Sequence, residues 1–161
     1  MDENLLFDYS SSSVKLRFAQ QSADNAMWAP ILEKAWAKVK GSYGQIEAGF
    51  VINGLRALTG APVFNYKVSN LQSTHNLNAA QTFDLIKAGE NANYPMGAST
   101  TGSSDQVFND CGIAKGHAYS MISAFTMIDA LGTIHKMLLM RNPWGTTYYS
   151  GTWNKDDSNW T

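Results

Sequence analysis

An α+β fold, helices first and an antiparallel sheet after, is what this sequence predicts. Two observations carry it: apolar residues recur at helical spacing across the first half of the chain, and from Tyr94 onward the period shortens to two. A third, the turn signal at Leu131-Gly132, folds much of the second half into a strand, a turn and a strand.

Taken in order, Asp2 to Ser13 is polar apart from Leu5, Leu6 and Phe7. Val14, Leu16 and Phe18 then alternate with Lys15 and Arg17, as in a short half-buried strand. Asp24 and Asn25 are helix-capping types ahead of NAMWAPILEKAWAKVK, where Trp28, Ile31, Leu32, Ala35, Trp36 and Val39 fall at helical spacing and Gly41 is the stop. A second helix is expected over about 44–58, closed by Gly60 and Pro62, and a strand in VFNYKV follows. A third helix runs from about Asn78 to Gly89, with Phe83, Leu85 and Ile86 apolar. After YPMGAST and a Gly/Ser/Asp loop near 102–105, GHAYSMISAFTMID and IHKMLLMRN are expected to pair as an antiparallel hairpin over 117–142, and a polar aromatic tail follows. Strict alternation puts His117, Tyr119, Met121, Ser123 and Phe125 on one face. Met121, Met127, Met137 and Met140, with Trp28 and Trp36, are read as core.

With 44% hydrophobic and 16% charged residues over 161 positions, the chain has the make-up of one globular domain. Twelve Lys plus Arg oppose 13 Asp plus Glu, a formal charge of −1, so no basic surface invites nucleic acid or anionic lipid. No apolar run approaches the roughly 20 residues that span a bilayer, and the acidic start is unlike a secretory leader. The lone Cys111 excludes an intrachain disulfide and fits a reducing, cytoplasmic setting.

His117 opens the first strand of the expected hairpin and Asn142 ends the second, so the turn returns one to the neighbourhood of the other. Imidazole beside amide is how a thiol protease orients its base: one ring nitrogen exchanges a proton with a cysteine, and the amide oxygen holds the other. Trp144 would roof that bond. The same residues also suit a plain strand histidine and an Asn-Pro-Trp-Gly turn, and spacing alone leaves both readings open.

The motifs go further. Gly116-His117-Ala118-Tyr119-Ser120, then Arg141-Asn142-Pro143-Trp144-Gly145, then Gly151-Thr152-Trp153-Asn154 resemble the second core subdomain of calpains, papain-like cysteine proteases. LEKAWAKVKGSYGQIEAGF, LTGAPVFNY and MGAST are similar to segments that precede the histidine there, so the likeness runs from about Val14 onward. It implies N-terminal helices packed on an antiparallel sheet or partly open barrel, with His117 as general base and acid, Asn142 as its orienting partner and Trp144 beside them. It also implies a protein or peptide substrate. The family's nucleophilic cysteine belongs to an upstream subdomain with a G-x-C-W motif, which does not occur in this sequence. Residues 1–161 are therefore expected to form a single subdomain of a longer protein, inactive alone. A noncatalytic peptide- or protein-binding module of the same shape is the alternative.

Cys111, in the loop FNDCGIAKGH, is read as an incidental thiol and not the nucleophile: a reactive thiolate needs a helix N-terminus or a fixed cation, the nearest cation in sequence is Lys115, and the resemblance implies a nucleophile on the other subdomain. Calcium is possible in a full-length relative. The positions at which the resemblance implies carboxylate ligands here hold Tyr148 and Lys155, with Asp156 and Asp157 beside them, so neither calcium nor any other metal or cofactor is expected in this unit. His75 reads as a loop residue and His135 as a strand residue, without metal-ligand spacing.

Overall fold

The computed structural model describes residues 4–10, 13–68 and 77–160, so the reading of His75 lies outside the described residues. The chain divides into two compact units, 1–49 and 50–161.

In the first unit, β1 (Phe7–Ser10) and β2 (Ser13–Leu16) pair antiparallel, with Phe7 opposite Leu16. The expected strand forms, but it is exposed rather than half buried, because a two-stranded ribbon of four residues a side covers little. Helix α1 spans Trp28–Lys40 and starts later than the capping types Asp24 and Asn25 suggest. Asp24 closes a separate turn there by accepting the Ala26 N–H at 3.2 Å. Pro30 sits in the first turn, where its missing N–H costs nothing, and Lys38 and Lys40 face the negative end.

The face that α1 buries is Pro30, Lys34 and Ala37, not the expected stripe: Trp28 is 66% exposed, Ile31, Leu32 and Val39 are exposed, and Trp36 is half buried under the Lys40 ammonium. What decides the face is polar bonding. The Lys34 ammonium donates to the Asn4 carbonyl, and Glu33 accepts the Ala19 N–H at 3.1 Å. Phe18 stacks on Tyr43 at 5.0 Å.

The helix expected over 44–58 is broken in two. Tyr43–Ile46 is a short 3₁₀ turn, and α2 begins only at Val51 and runs to Thr59, in the second unit. Gly44 and Gly49 weaken the span between them, and Phe50 is extended. VFNYKV forms no strand. It carries a single bridging residue, Lys67, and no described neighbour supplies a ladder for it.

Helix α3 (Ala79–Asn91) starts at a full capping box, in which Asn78 accepts the Gln81 N–H at 2.9 Å and Gln81 accepts the Asn78 N–H at 3.0 Å. Strands β3 (Met96–Ser99), β4 (Ala118–Ile128) and β5 (Ile134–Arg141) form an open antiparallel sheet in that order. The β4–β5 turn falls where the Leu131-Gly132 signal puts it, with the Asp129 carboxylate accepting the N–H groups of Leu131 and Thr133, each at 2.9 Å.

Strict alternation along β4 does not hold. Met121 faces Met140 and Ser123 faces Leu139, so Ile122 is an extra residue in a bulge that interrupts the face begun at His117. Beside the bulge, Glu90 of α3 accepts the Ser123 hydroxyl at 2.6 Å and the Ala124 N–H at 3.1 Å. Those bonds, with the Lys87 ammonium at 3.0 Å, hold its carboxyl down at about 2. Phe83, Ala114 and Ala124 are buried, whereas Met140 is exposed and Met121, Met127 and Met137 are half buried. The methionines therefore line the sheet and do not form its core.

Candidate functional site

His117 precedes β4 and is fixed by its backbone before its ring is considered. Its N–H donates to the Thr100 hydroxyl at 3.0 Å, its carbonyl accepts the Thr100 N–H at 2.9 Å, and the Thr100 hydroxyl donates to the Ala114 carbonyl at 2.7 Å. Gly116, at φ 55°, allows the approach: a Cβ there would lie 2.8 Å from the Gly102 carbonyl oxygen.

Asn142 follows the end of β5, one step past the pair Ser120 and Arg141. Its carbonyl accepts the Gly145 N–H at 3.1 Å, closing a turn with Pro143 in the position that favours proline. Its side-chain oxygen accepts the Trp144 N–H at 3.1 Å.

The two side chains meet. His117 Nε2 lies 2.9 Å from Asn142 Oδ1. Since the same Asn142 atom accepts the Trp144 N–H, it is the amide oxygen and not the nitrogen. An oxygen only accepts, so Nε2 carries the hydrogen, and in the neutral ring Nδ1 holds the free lone pair. Nδ1 is 4.0 Å from the Asp105 carboxylate, beyond direct hydrogen-bond reach, and the His117 side chain is only 9% exposed. The Trp144 indole tilts against the imidazole at 4.3 Å between ring centres, and the Tyr119 ring meets it edge-on at 4.9 Å while its hydroxyl accepts the Ala114 N–H at 2.9 Å. Gln106, Phe108, Trp144, Thr146 and Tyr148 line an open cleft of about 320 Å³ beside the pair.

The model of the family described as "Calpain family cysteine protease" matches residues 5–161. The chain is 31% identical over 148 residues to the calpain-type cysteine protease DEK1 of Zea mays, 33% over 147 to calpain-12 of Mus musculus and 29% over 150 to the calpain-2 catalytic subunit of Gallus gallus. Each match covers 91% of this chain but only 7%, 19% and 20% of the respective relative, so the chain spans a minor part of their length. Fold and matches together define a domain of the cysteine proteases. The chain belongs to the calpain family.

The structure thus brings His117, Asn142 and Trp144 together. The Cys111 thiol is exposed, and the Cys111 backbone bonds to Asn109 and Ser150. His135 lies in β5, as its sequence suggests, paired with Asp129. Thr100 reaches His117 by continuing the β3–β4 ladder one step past Ser99 and Ala118, whereas Asp105 beside His117 and Phe108 beside Trp144 carry no sequence signal for their places, because loop folding alone puts them there. No helix among the described residues is long and apolar enough to cross a membrane.

The positions implied for calcium do not fit the ion. Tyr148 turns an aromatic ring toward Phe108, 5.0 Å away, and the Lys155 ammonium engages Asp156 at 2.5 Å. The Asp157 carboxylate accepts the Asn159 N–H at 2.9 Å and the Trp153 N–H at 2.5 Å. Among the described residues no three His, Cys, Asp or Glu side chains gather as a metal site.

Proposed function

We propose that this chain is the base-bearing subdomain of a calpain-type cysteine endopeptidase, with His117 as general base and acid, Asn142 as its orienting residue and Trp144 as the shield of their bond. The observation that carries the reading is the two-donor contact at Asn142 Oδ1, which fixes the tautomer and leaves Nδ1 as the proton acceptor. In that role Nδ1 takes the proton of a cysteine thiol supplied by another subdomain, and the resulting imidazolium is held by the Asn142 dipole. The thiolate adds to the peptide carbonyl, and the leaving amine takes the proton from Nδ1 as the C–N bond breaks. Nδ1 then removes a proton from the water that hydrolyses the thioester and returns it to the departing sulfur.

The substrate is a protein or peptide, the setting is cytoplasmic, and nucleic acid has no part. The partner is the Cys-bearing subdomain of the same protein. A noncatalytic binding module has no chemical use for a base and its orienter held in one tautomer, so the paired side chains favour the protease. The test is turnover of a fluorogenic peptide by the chain alone and by the chain joined to a calpain Cys-bearing subdomain. Silence alone, with iodoacetamide-sensitive hydrolysis when joined, is the expected result; thiol-sensitive turnover by the chain alone, or none in a joined and folded protein, counts against it.

A further inference from the structure

We infer that Phe108 and Tyr148 are positioning residues: their rings hold Trp144 over the His117–Asn142 bond, so the order of that pair comes from aromatic packing and not from a divalent cation. The inference rests on the reading of His117 and Asn142 as the functional pair. Trp144 lies past the end of β5, and its own backbone supplies one bond, the 3.1 Å contact to Asn142. The indole also meets Phe108 and Tyr148, each at 6.3 Å between ring centres and steeply inclined, and those two rings tilt against each other at 5.0 Å. Edge-to-face geometry of this kind adds attraction beyond the area it covers.

The two rings come from opposite sides of the site. Phe108 sits in the segment leading into His117, where it bridges Ala114 and where the Lys115 N–H donates to the Val107 carbonyl at 2.8 Å. Tyr148 sits in the segment leading away from Asn142, and the Ser150 N–H there donates to the Cys111 carbonyl at 2.9 Å. Gly112 brings these segments into contact, since a Cβ on it would fall 1.8 Å from the Tyr148 carbonyl oxygen. The segment that delivers the base and the one that delivers its orienter are therefore tied together through Trp144. Tyr148 occupies one of the positions at which a carboxylate ligand was implied, and its ring takes over the ordering there.

Amide hydrogen exchange and ring-to-ring NOEs by NMR on this chain test the inference without requiring turnover, so its failure is separable from failure of the protease reading. In Phe108→Ala and Tyr148→Ala the Trp144 amide is expected to lose protection roughly three- to tenfold, with the His117–Trp144 NOE weakened. The Ala124 amide of β4, held by Glu90 of α3, keeps its protection. Tyr148→Phe retains full protection, and millimolar calcium changes neither readout. Tyr148 is 55% exposed, so its alanine variant carries the test should Phe108→Ala fail to fold. Unchanged Trp144 protection in Tyr148→Ala, a parallel loss at Ala124, or a gain in Trp144 protection on adding calcium overturns it.

Discussion

Two histidines, one just before β4 and the other within β5, have the same three-part surroundings, and the likeness ends there. His117 Nε2 meets Asn142 at 2.9 Å with Trp144 at 4.3 Å; His135 Nε2 meets Asp129 at 2.9 Å with Trp153 at 5.3 Å. The partner's charge separates them. Asn142 is a neutral dipole that orients the ring in either charge state, so the proton on the other nitrogen stays free to move. Asp129 is a carboxylate brought down to about 2, first by His135 and then by the backbone N–H groups of the turn it closes. That pairing suits a latch on the hairpin. A histidine, an oxygen and a tryptophan therefore do not identify a site until the oxygen's charge and the ring's free nitrogen are known.

Turnover separates the pairs most widely. In the joined protein, His117→Ala lowers kcat by at least about 10³-fold, while His135→Ala changes it by no more than about twofold. Steady-state kinetics with thermal melts as a control decide it, and comparable losses at both positions dissolve the contrast.

The glycines beside the two pairs come next. Gly116 and Gly132 both have positive φ, 55° and 83°, but a Cβ on Gly116 meets the Gly102 backbone whereas nothing lies within 4 Å of one on Gly132. Gly132→Ala is expected to cost about 1 kcal/mol from backbone strain, and Gly116→Ala about 2 kcal/mol or more, as clash adds to strain. Urea unfolding measures both, and equal costs would mean the crossing at Gly116 gives way freely.

Acid titration is the subtlest probe. Asp129 and Glu90 have folded pKa values of about 2, below their ordinary 3.8 and 4.5. Depressed carboxylates contribute stability that is fully present above those ordinary values and is lost as pH falls from about 4.5 toward 2. Asn142 does not titrate and contributes nothing to that slope. Melting temperature followed from neutral pH down to about 2 should therefore show a shallower acid decline in Asp129→Asn and in Glu90→Gln. An unaltered decline in Asp129→Asn would falsify the latch.

Much of the second unit was legible because its signals are local. The helix start at Asn78, the turn at Leu131-Gly132 and the RNPWG turn each lie within a few residues of what they shape. The misses share a cause as well. The stripe on α1 and the methionines of the sheet follow apolar periodicity, but which face becomes covered depends on packing, and here Lys34 turns a different face of α1 inward. The Ile122 bulge depends on pairing with β5, and VFNYKV had strand composition without a described partner.

The sequence by itself determined the family and the order of helices and sheet, and it singled out His117, Asn142 and Trp144 as candidates, because motif and turn chemistry are written in neighbouring residues. Only the tertiary structure decided which histidine nitrogen bears the hydrogen, that Thr100 fixes its backbone, and that Phe108 and Tyr148 close on Trp144. These depend on contacts between segments far apart in the chain, where distance and direction, not residue type, set the chemistry.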